Sequence, residues 1–210
     1  MPEVRPDSAE TRALLGRARG GDAGALPALL GRHRAELRRF VEFHLDPRLA
    51  PRVDPSDVVQ ETQMEAARRM DDYLARPPMP FRLWLRKKAY ERLLDLRRNH
   101  LTRERRSVRR EVAWPDRSSL LLARPLLARE PSPSQHAAAR ELAGRLARAV
   151  ERLGEADREI LLMRHAEDLP FDEIACLLDL TPEAARKRFG RALIRLRGVL
   201  KEEGLLEDRG

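Results

Sequence analysis

An all-α protein made of two small helical domains joined by a flexible linker is the fold class this sequence predicts, and three observations predict it. No stretch alternates apolar and polar residues as a half-buried strand would, and aromatic residues make up only 4% of the chain, so the core has to come from aliphatic side chains on helices. Apolar residues recur instead at the three-and-four spacing of a single helix face. Four prolines and the lack of a sustained helical period mark Glu111–His136 as a linker, dividing the 210 residues into domains 1–110 and 137–210 with 111–136 between them.

In the N-terminal domain, Leu26, Leu29, Leu30, Leu37, Phe40 and Val41 mark a first helix or helix pair. The run HLDPRLAPRVDPSD breaks it. Asp54 then stands as an N-cap with Pro55 behind it and Asp57 three residues on, a carboxylate variant of the capping box, and predicts a helix to about Tyr73. The proline-rich LARPPMPF, Leu74–Phe81, ends that helix, and a last one runs from about Phe81 to Asn99. Five leucines in the linker (Leu120, Leu121, Leu122, Leu126 and Leu127) are unusual for an exposed connection and predict packing on this chain or on a partner.

Beyond the linker, Leu142, Leu146, Val150 and Leu153 mark one helix, and Ile160, Leu161 and Met163 mark another. A short helix follows, opened by Pro170, with Asp172 and Glu173 in its first turn and Ile174, Leu177 and Leu178 on its buried face. After a tight turn, Thr181 is an N-cap, Pro182 suits the first helical position, and Ala185, Phe189, Ala192, Leu193, Leu196 and Leu200 form the inward stripe of a long helix. This order is that of a helix-turn-helix domain of the winged-helix-like kind. Arg186, Lys187 and Arg191 fall on its outward face, where a DNA groove is read. Cys176, the only cysteine, lies beside Ile174 and Leu177 and is expected to be a small buried thiol.

The net charge of +8 is unevenly distributed. Arg82–Arg110 holds twelve basic and three acidic residues, net +9, and Thr181–Lys201 holds seven basic and one acidic, net +6, so the rest of the chain sums to −7. Two basic regions on an otherwise acidic chain imply contact with two different stretches of nucleic acid. In the first region Phe81, Trp84 and Tyr90 interleave with cations, the pairing that single-stranded DNA requires: planar groups for stacking and positive charge for the backbone. Trp84 is assigned to the core. No apolar run reaches the roughly 20 residues of a membrane span, and the first residues lack an apolar signal region, which predicts a cytoplasmic chain without membrane insertion.

Three segments in order, DPSDVVQETQMEAARRM, FRLWLRKKAYERLLDLRR and the C-terminal helix-turn-helix, resemble the bacterial sigma factors of the sigma-70 family. The two-domain layout resembles its extracytoplasmic-function group. In that family the helix matching Asp54–Tyr73 docks on the clamp helices of core RNA polymerase. This implies that Asp57, Gln60, Glu61 and Gln63 face the polymerase, with Val59, Thr62, Ala66, Met70 and Tyr73 turned inward. The family's next helix holds the melted minus-ten strand beside a loop that accepts a flipped base, and the matching positions are Phe81, Arg86, Lys87, Lys88, Tyr90, Glu91, Arg92, Arg97 and Arg98. Many members have Asn where this chain has Glu91, and a Ser or Thr cap where it has Pro170. The C-terminal helix reads the duplex minus-thirty-five element, through Thr181, Glu183, Arg186, Lys187, Arg188 and Arg191 here; Arg186 and Lys187 suit base edges, and Arg188 and Arg191 suit phosphates. The resemblance implies core RNA polymerase and promoter DNA as partners, an anti-sigma factor as a candidate regulator, and no cofactor, metal, small-molecule substrate or catalytic residue.

Two other classes compete with this reading. A free-standing helix-turn-helix regulator explains the C-terminal domain equally well but not the basic helix in the N-terminal half, and it predicts symmetric dimers on palindromic sites. A recombinase or nuclease requires a nucleophile near arginines or clustered carboxylates for metal ions. Asp54, Asp57, Glu61 and Glu65 cluster but sit at helical-turn spacing without His, and the five histidines, at 33, 44, 100, 136 and 165, show no metal spacing.

Overall fold

A computed structural model describes residues 4–46, 49–104, 145 and 148–205, with the backbone alone at 100–104 and 166. The chain divides into two compact units, Met1–Val112 and Ala113–Gly210. The described residues are helical and contain no strand, so the helix-turn-helix is built from helices alone. None of the described helices is long and apolar enough to cross a membrane. The linker, its leucines, Leu142 and Leu146 lie outside the described residues.

The first unit holds α1 (Ala9–Arg19), α2 (Ala25–His44), α3 (Pro55–Arg68), α4 (Met70–Ala75) and α5 (Phe81–Glu104). Ser8 caps α1 by accepting from Thr11 N at 3.2 Å, and Gly21, at φ 83°, supplies the left-handed residue in the turn to α2. The sequence reading missed α1 because Leu14 and Leu15 give it only a thin apolar stripe. Asp54 caps α3 through Ser56 N at 2.7 Å. The single helix expected from Asp54 to Tyr73 is interrupted at Arg69, whose φ of −101° and ψ of 11° separate α3 from α4.

α2 packs on α1, α3 and α5, and α3 packs on α5. Between them lies a core of Leu29, Leu37, Phe40, Val41, Val58, Val59, Ala66, Met70, Tyr73, Phe81, Leu83, Trp84 and Leu85. The aromatic rings gather within it, with centroids 4.6 Å apart for Tyr73 and Trp84 and 5.5 Å for Tyr73 and Phe81. Edge-on and tilted ring contacts of this kind add to what burial alone contributes.

The second unit holds a helical turn at 148–151, then α6 (Glu155–Leu161), which runs into a π-helical stretch, Leu162–Ala166, then α7 (Phe171–Leu178) and α8 (Pro182–Glu202). α8 packs on α6 and α7. Its far end is held by Leu200 against Ala149, and by Arg152, which donates to Glu202 at 2.5 Å and to Glu203 at 3.0 Å. Cys176 is half-buried, a partial departure from the expected buried thiol.

Candidate partner and nucleic-acid interfaces

The helix-turn-helix follows from a few local choices. α7 ends at Asp179 in the left-handed region (φ 54°, ψ 45°), a conformation that Asp tolerates better than most residues, and Leu180 N closes the turn on Ala175 O at 2.9 Å. Thr181 Oγ1 accepts from Ala184 N at 3.1 Å and Pro182 occupies the first helical position, as the sequence predicts. Ala185 and Ala192 are fully buried; their small side chains let α8 sit close to the helices beneath it. Phe189 stacks edge-on against Phe171 at 5.4 Å and lies 5.3 Å from His165. Burial, then the charge of Arg164, pushes the His165 imidazole below its ordinary value.

The outward face of α8 carries Thr181, Glu183, Arg186, Lys187 and Arg191, all exposed, while Arg188 is half-buried at the edge. The Arg186 guanidinium lies 5.8 Å from the centre of the Phe171 ring, a cation–π contact that reduces its conformational freedom before any ligand arrives. Lys187 pairs with Glu183 at 2.6 Å, one turn away. Leu193, expected on the inward stripe, is 38% exposed, and neighbouring Ile194 is 72% exposed. This part of α8 presents two adjacent apolar side chains that its periodicity does not place on the buried face.

On α3, Asp57, Gln60 and Glu61 are exposed, as expected of an outward face, and Val58 joins the predicted inward residues in the core. Gln63 departs from expectation. Its amide donates to Leu30 O at 2.8 Å and accepts from Arg34 at 3.0 Å, so it ties α3 to α2 instead of standing free of the fold. Met64 is 49% exposed beside it. Three of the four clustered carboxylates are separately engaged: Asp54 caps its helix, Glu61 holds Arg92 at 2.5 Å, and Glu65 holds Arg69. Among the described residues no group of three or more His, Cys, Asp or Glu is placed to hold a metal ion.

The largest correction falls on α5. Phe81 is 0%, Trp84 7% and Tyr90 8% exposed, so the aromatics expected to stack on bases belong to the core. The helix is covered by α2 on one side and α3 on another, and its rings pack on His33 and His44 of α2 and on Tyr73 of α4. Only the assignment of Trp84 to the core agrees with the sequence reading. The cations are sorted in the same way. Arg86 turns to α2, where it donates to Glu36 at 2.9 Å and lies over the Phe40 ring at 5.6 Å. Lys88 and Arg92 line an open groove of about 410 Å³ between α3 and α5, with Glu61, Met64, Glu65 and Glu91. Lys87, Glu91, Leu94 and Arg98 share one stripe by helical spacing. Glu91 pairs with Lys88 at 2.7 Å, and Arg98 pairs with Asp95, so charges of both signs are interleaved along this face. Arg97 is half-buried.

The Glu36 carboxyl is held down to about 2 by His33, then by the guanidinium groups of Arg86 and Arg82. His33 Nδ1 stands 3.9 Å away, an ion-pair separation rather than a hydrogen bond. On its other side His33 Nε2 is hydrogen-bonded to Thr11 Oγ1 at 3.1 Å, which links α1 to the same cluster.

Comparison with known proteins favours the first of the three classes. Residues 143–196, which include α7, the turn and most of α8, match the model for sigma-70, region 4. The RNA polymerase sigma factor CnrH of Cupriavidus metallidurans is 30% identical over 199 residues, which cover 94% of this chain and 97% of that protein. This chain belongs to the sigma-70 family, in its extracytoplasmic-function group. The sigma factor NccH of Alcaligenes xylosoxydans xylosoxydans is 26% identical over 93% of this chain and 97% of its own length. The solved structure of CnrH in complex with the cytosolic domain of CnrY superposes with a TM-score of 0.56 at 26% identity, over 92% of this chain and 99% of that one. The sigma factor RpoE of Bartonella quintana, solved in complex with the anti-sigma factor NepR, shares the fold with a TM-score of 0.51 at 17% identity, over 82% and 94% of the two chains. The chain is therefore a sigma factor, which directs core RNA polymerase to promoters and starts transcription. Because the likeness spans both halves, a regulator that shares only a helix-turn-helix is not favoured.

Proposed function

We propose that this sigma factor works through three surfaces on two domains, residues 1–110 and 137–210. The exposed row of Asp57, Gln60 and Glu61 on α3 meets core RNA polymerase. Lys87, Glu91, Arg97 and Arg98 on α5 track the melted minus-ten strand, and the loop before that helix lies beside the displaced base. Arg186 and Lys187 on α8 read base edges of the minus-thirty-five element, while Arg188 and Arg191 hold phosphates and Thr181 and Glu183 set the start and pitch of the reading face. The protein acts in the cytoplasm, carries out no chemistry of its own, and is regulated by an anti-sigma partner, as the complexes of its solved relatives suggest. The observation that carries this reading is the row of exposed cations on α8, set on a helix that is capped at Thr181 and seated on Ala185 and Ala192.

The test is binding of the purified protein to sigma-free core polymerase by fluorescence anisotropy at near-physiological salt, where non-specific charge attraction is screened beyond about 8 Å. Saturable binding that a known sigma factor displaces is the expected result. Asp57→Arg, at an exposed position, should weaken that binding at least about tenfold while duplex binding by the C-terminal helix persists. Undiminished polymerase binding in Asp57→Arg removes α3 as the docking face.

A further inference from the structure

α5 begins directly after Pro80, with no Ser, Thr, Asp or Asn in the adjacent chain to take up its first amides. Instead Asp7, over seventy residues earlier, supplies both carboxylate oxygens: Oδ2 accepts from Phe81 N at 2.7 Å and Oδ1 from Arg82 N at 3.2 Å. The Arg82 side chain returns to the same segment and donates to Arg5 O at 2.8 Å. The loop preceding α5 is tied at two further points. Arg19, at the end of α1, donates to Leu74 O at 3.1 Å, and the Tyr73 hydroxyl donates to Met79 O at 3.0 Å. Burial, then the negative charge of Asp7, pushes that hydroxyl well above its ordinary value, so it remains a donor. Pro77, Pro78 and Pro80 fix three φ angles within the same loop.

A loop this short, stiffened by three prolines, held at both ends by groups distant in sequence and tied at Met79 by the adjoining Tyr73, is ordered before DNA arrives. Its ordering entropy is then already spent in folding and does not weaken binding of an extruded base. A carboxylate at a helix N-terminus also stabilises that helix through its dipole. We infer that Asp7, with Arg19, forms a clamp that positions the Leu74–Pro80 loop and the first turn of α5 for strand separation at the minus-ten element. Asp7 is thus a positioning residue of promoter opening. The inference rests on the assignment of α5 to the minus-ten strand.

The experiment uses holoenzyme assembled from core polymerase and full-length sigma factor. The promoter is selected by wild-type holoenzyme from a randomised duplex library and carries 2-aminopurine in its minus-ten element. Asp7→Ala should slow the fluorescence rise of opening roughly tenfold on duplex, the loss expected for a charge-assisted pair of hydrogen bonds. Affinity for core polymerase and initiation on a template already unpaired at minus ten should stay within about twofold. Asp7→Asn, whose amide oxygen still accepts from Phe81 N, should fall between. Arg19→Ala, an exposed change that leaves the helix cap in place, should slow opening in the same direction. Equal losses on duplex and pre-unpaired templates overturn the clamp, because a merely unfolded domain behaves that way. Lys87→Ala with Arg98→Ala tests the underlying assignment. Slower opening in that pair with wild-type opening in Asp7→Ala overturns the clamp alone; wild-type opening in both overturns the minus-ten assignment and the clamp with it.

Discussion

α5 and α8 are the two basic helices of this sigma factor, and the fold treats them in opposite ways. α8 leans on its neighbours with one face, so Arg186, Lys187 and Arg191 stay exposed and one acidic residue, Glu183, pairs among them. α5 is packed from two sides, and its cations are distributed to Glu36, Glu61, Glu91 and Asp95. A count of Lys and Arg makes the two helices nearly equal, with eight cations on α5 and seven on α8. The structure gives α8 the more accessible charge. A basic composition therefore reports attraction to DNA only after the acids of the helix itself and of its neighbours have taken their share.

The sharpest way to break this comparison is Phe81→Ala. With its ring fully enclosed, the substitution should cost about 3–5 kcal/mol of N-terminal stability, read by denaturant unfolding. A cost below about 1 kcal/mol with a selective loss of single-stranded DNA binding would return Phe81 to the DNA surface. Next is Arg186→Ala, which should cost about 1–3 kcal/mol at its preferred minus-thirty-five base pair in competition binding. A uniform loss over all sequences would make Arg186 a phosphate contact and leave α8 no more specific than α5.

Glu91→Asn removes the partner of Lys88 and should shift minus-ten base preference by under about 1 kcal/mol, measured by in vitro selection. An unchanged preference would place Glu91 off the DNA. Acid provides the mildest test. Glu36 has its carboxyl lowered from 4.5 to about 2, so the stability it contributes is complete above 4.5 and disappears as pH falls toward 2. His165 is lowered from 6.5; its proton binds the unfolded chain more readily, so the C-terminal unit weakens as pH falls below 6.5. Separate unfolding curves should show the C-terminal unit responding first. Glu36→Gln should flatten the lower transition and His165→Gln the upper.

The helix-turn-helix was legible because its signals are local. Thr181, Pro182 and the Ala185-to-Leu200 spacing specify one helix and one buried face, and they failed only at Leu193, where no described neighbour completes the stripe. α3 was legible for the same reason, apart from Gln63, whose bonds to Leu30 and Arg34 depend on tertiary packing. α5 was misread because an aromatic–cation alternation looks the same whether the rings face DNA or other helices; only the packing against α2 and α4 decides it. Asp7 was invisible for the converse reason. A helix cap is normally sought beside its helix, and this one comes from the far end of the domain.

The pairing of cations with internal acids has a consequence for how the protein searches. A lysine that leaves Glu91 or Glu183 for a phosphate frees DNA-bound counterions but leaves behind a carboxylate that attracts others. The net ion release is therefore smaller than the number of cations engaged. Affinity for random duplex should decline gently as ionic strength rises, and sites that offer true base contacts should keep their advantage over the bulk of the chromosome across a wide range of intracellular potassium.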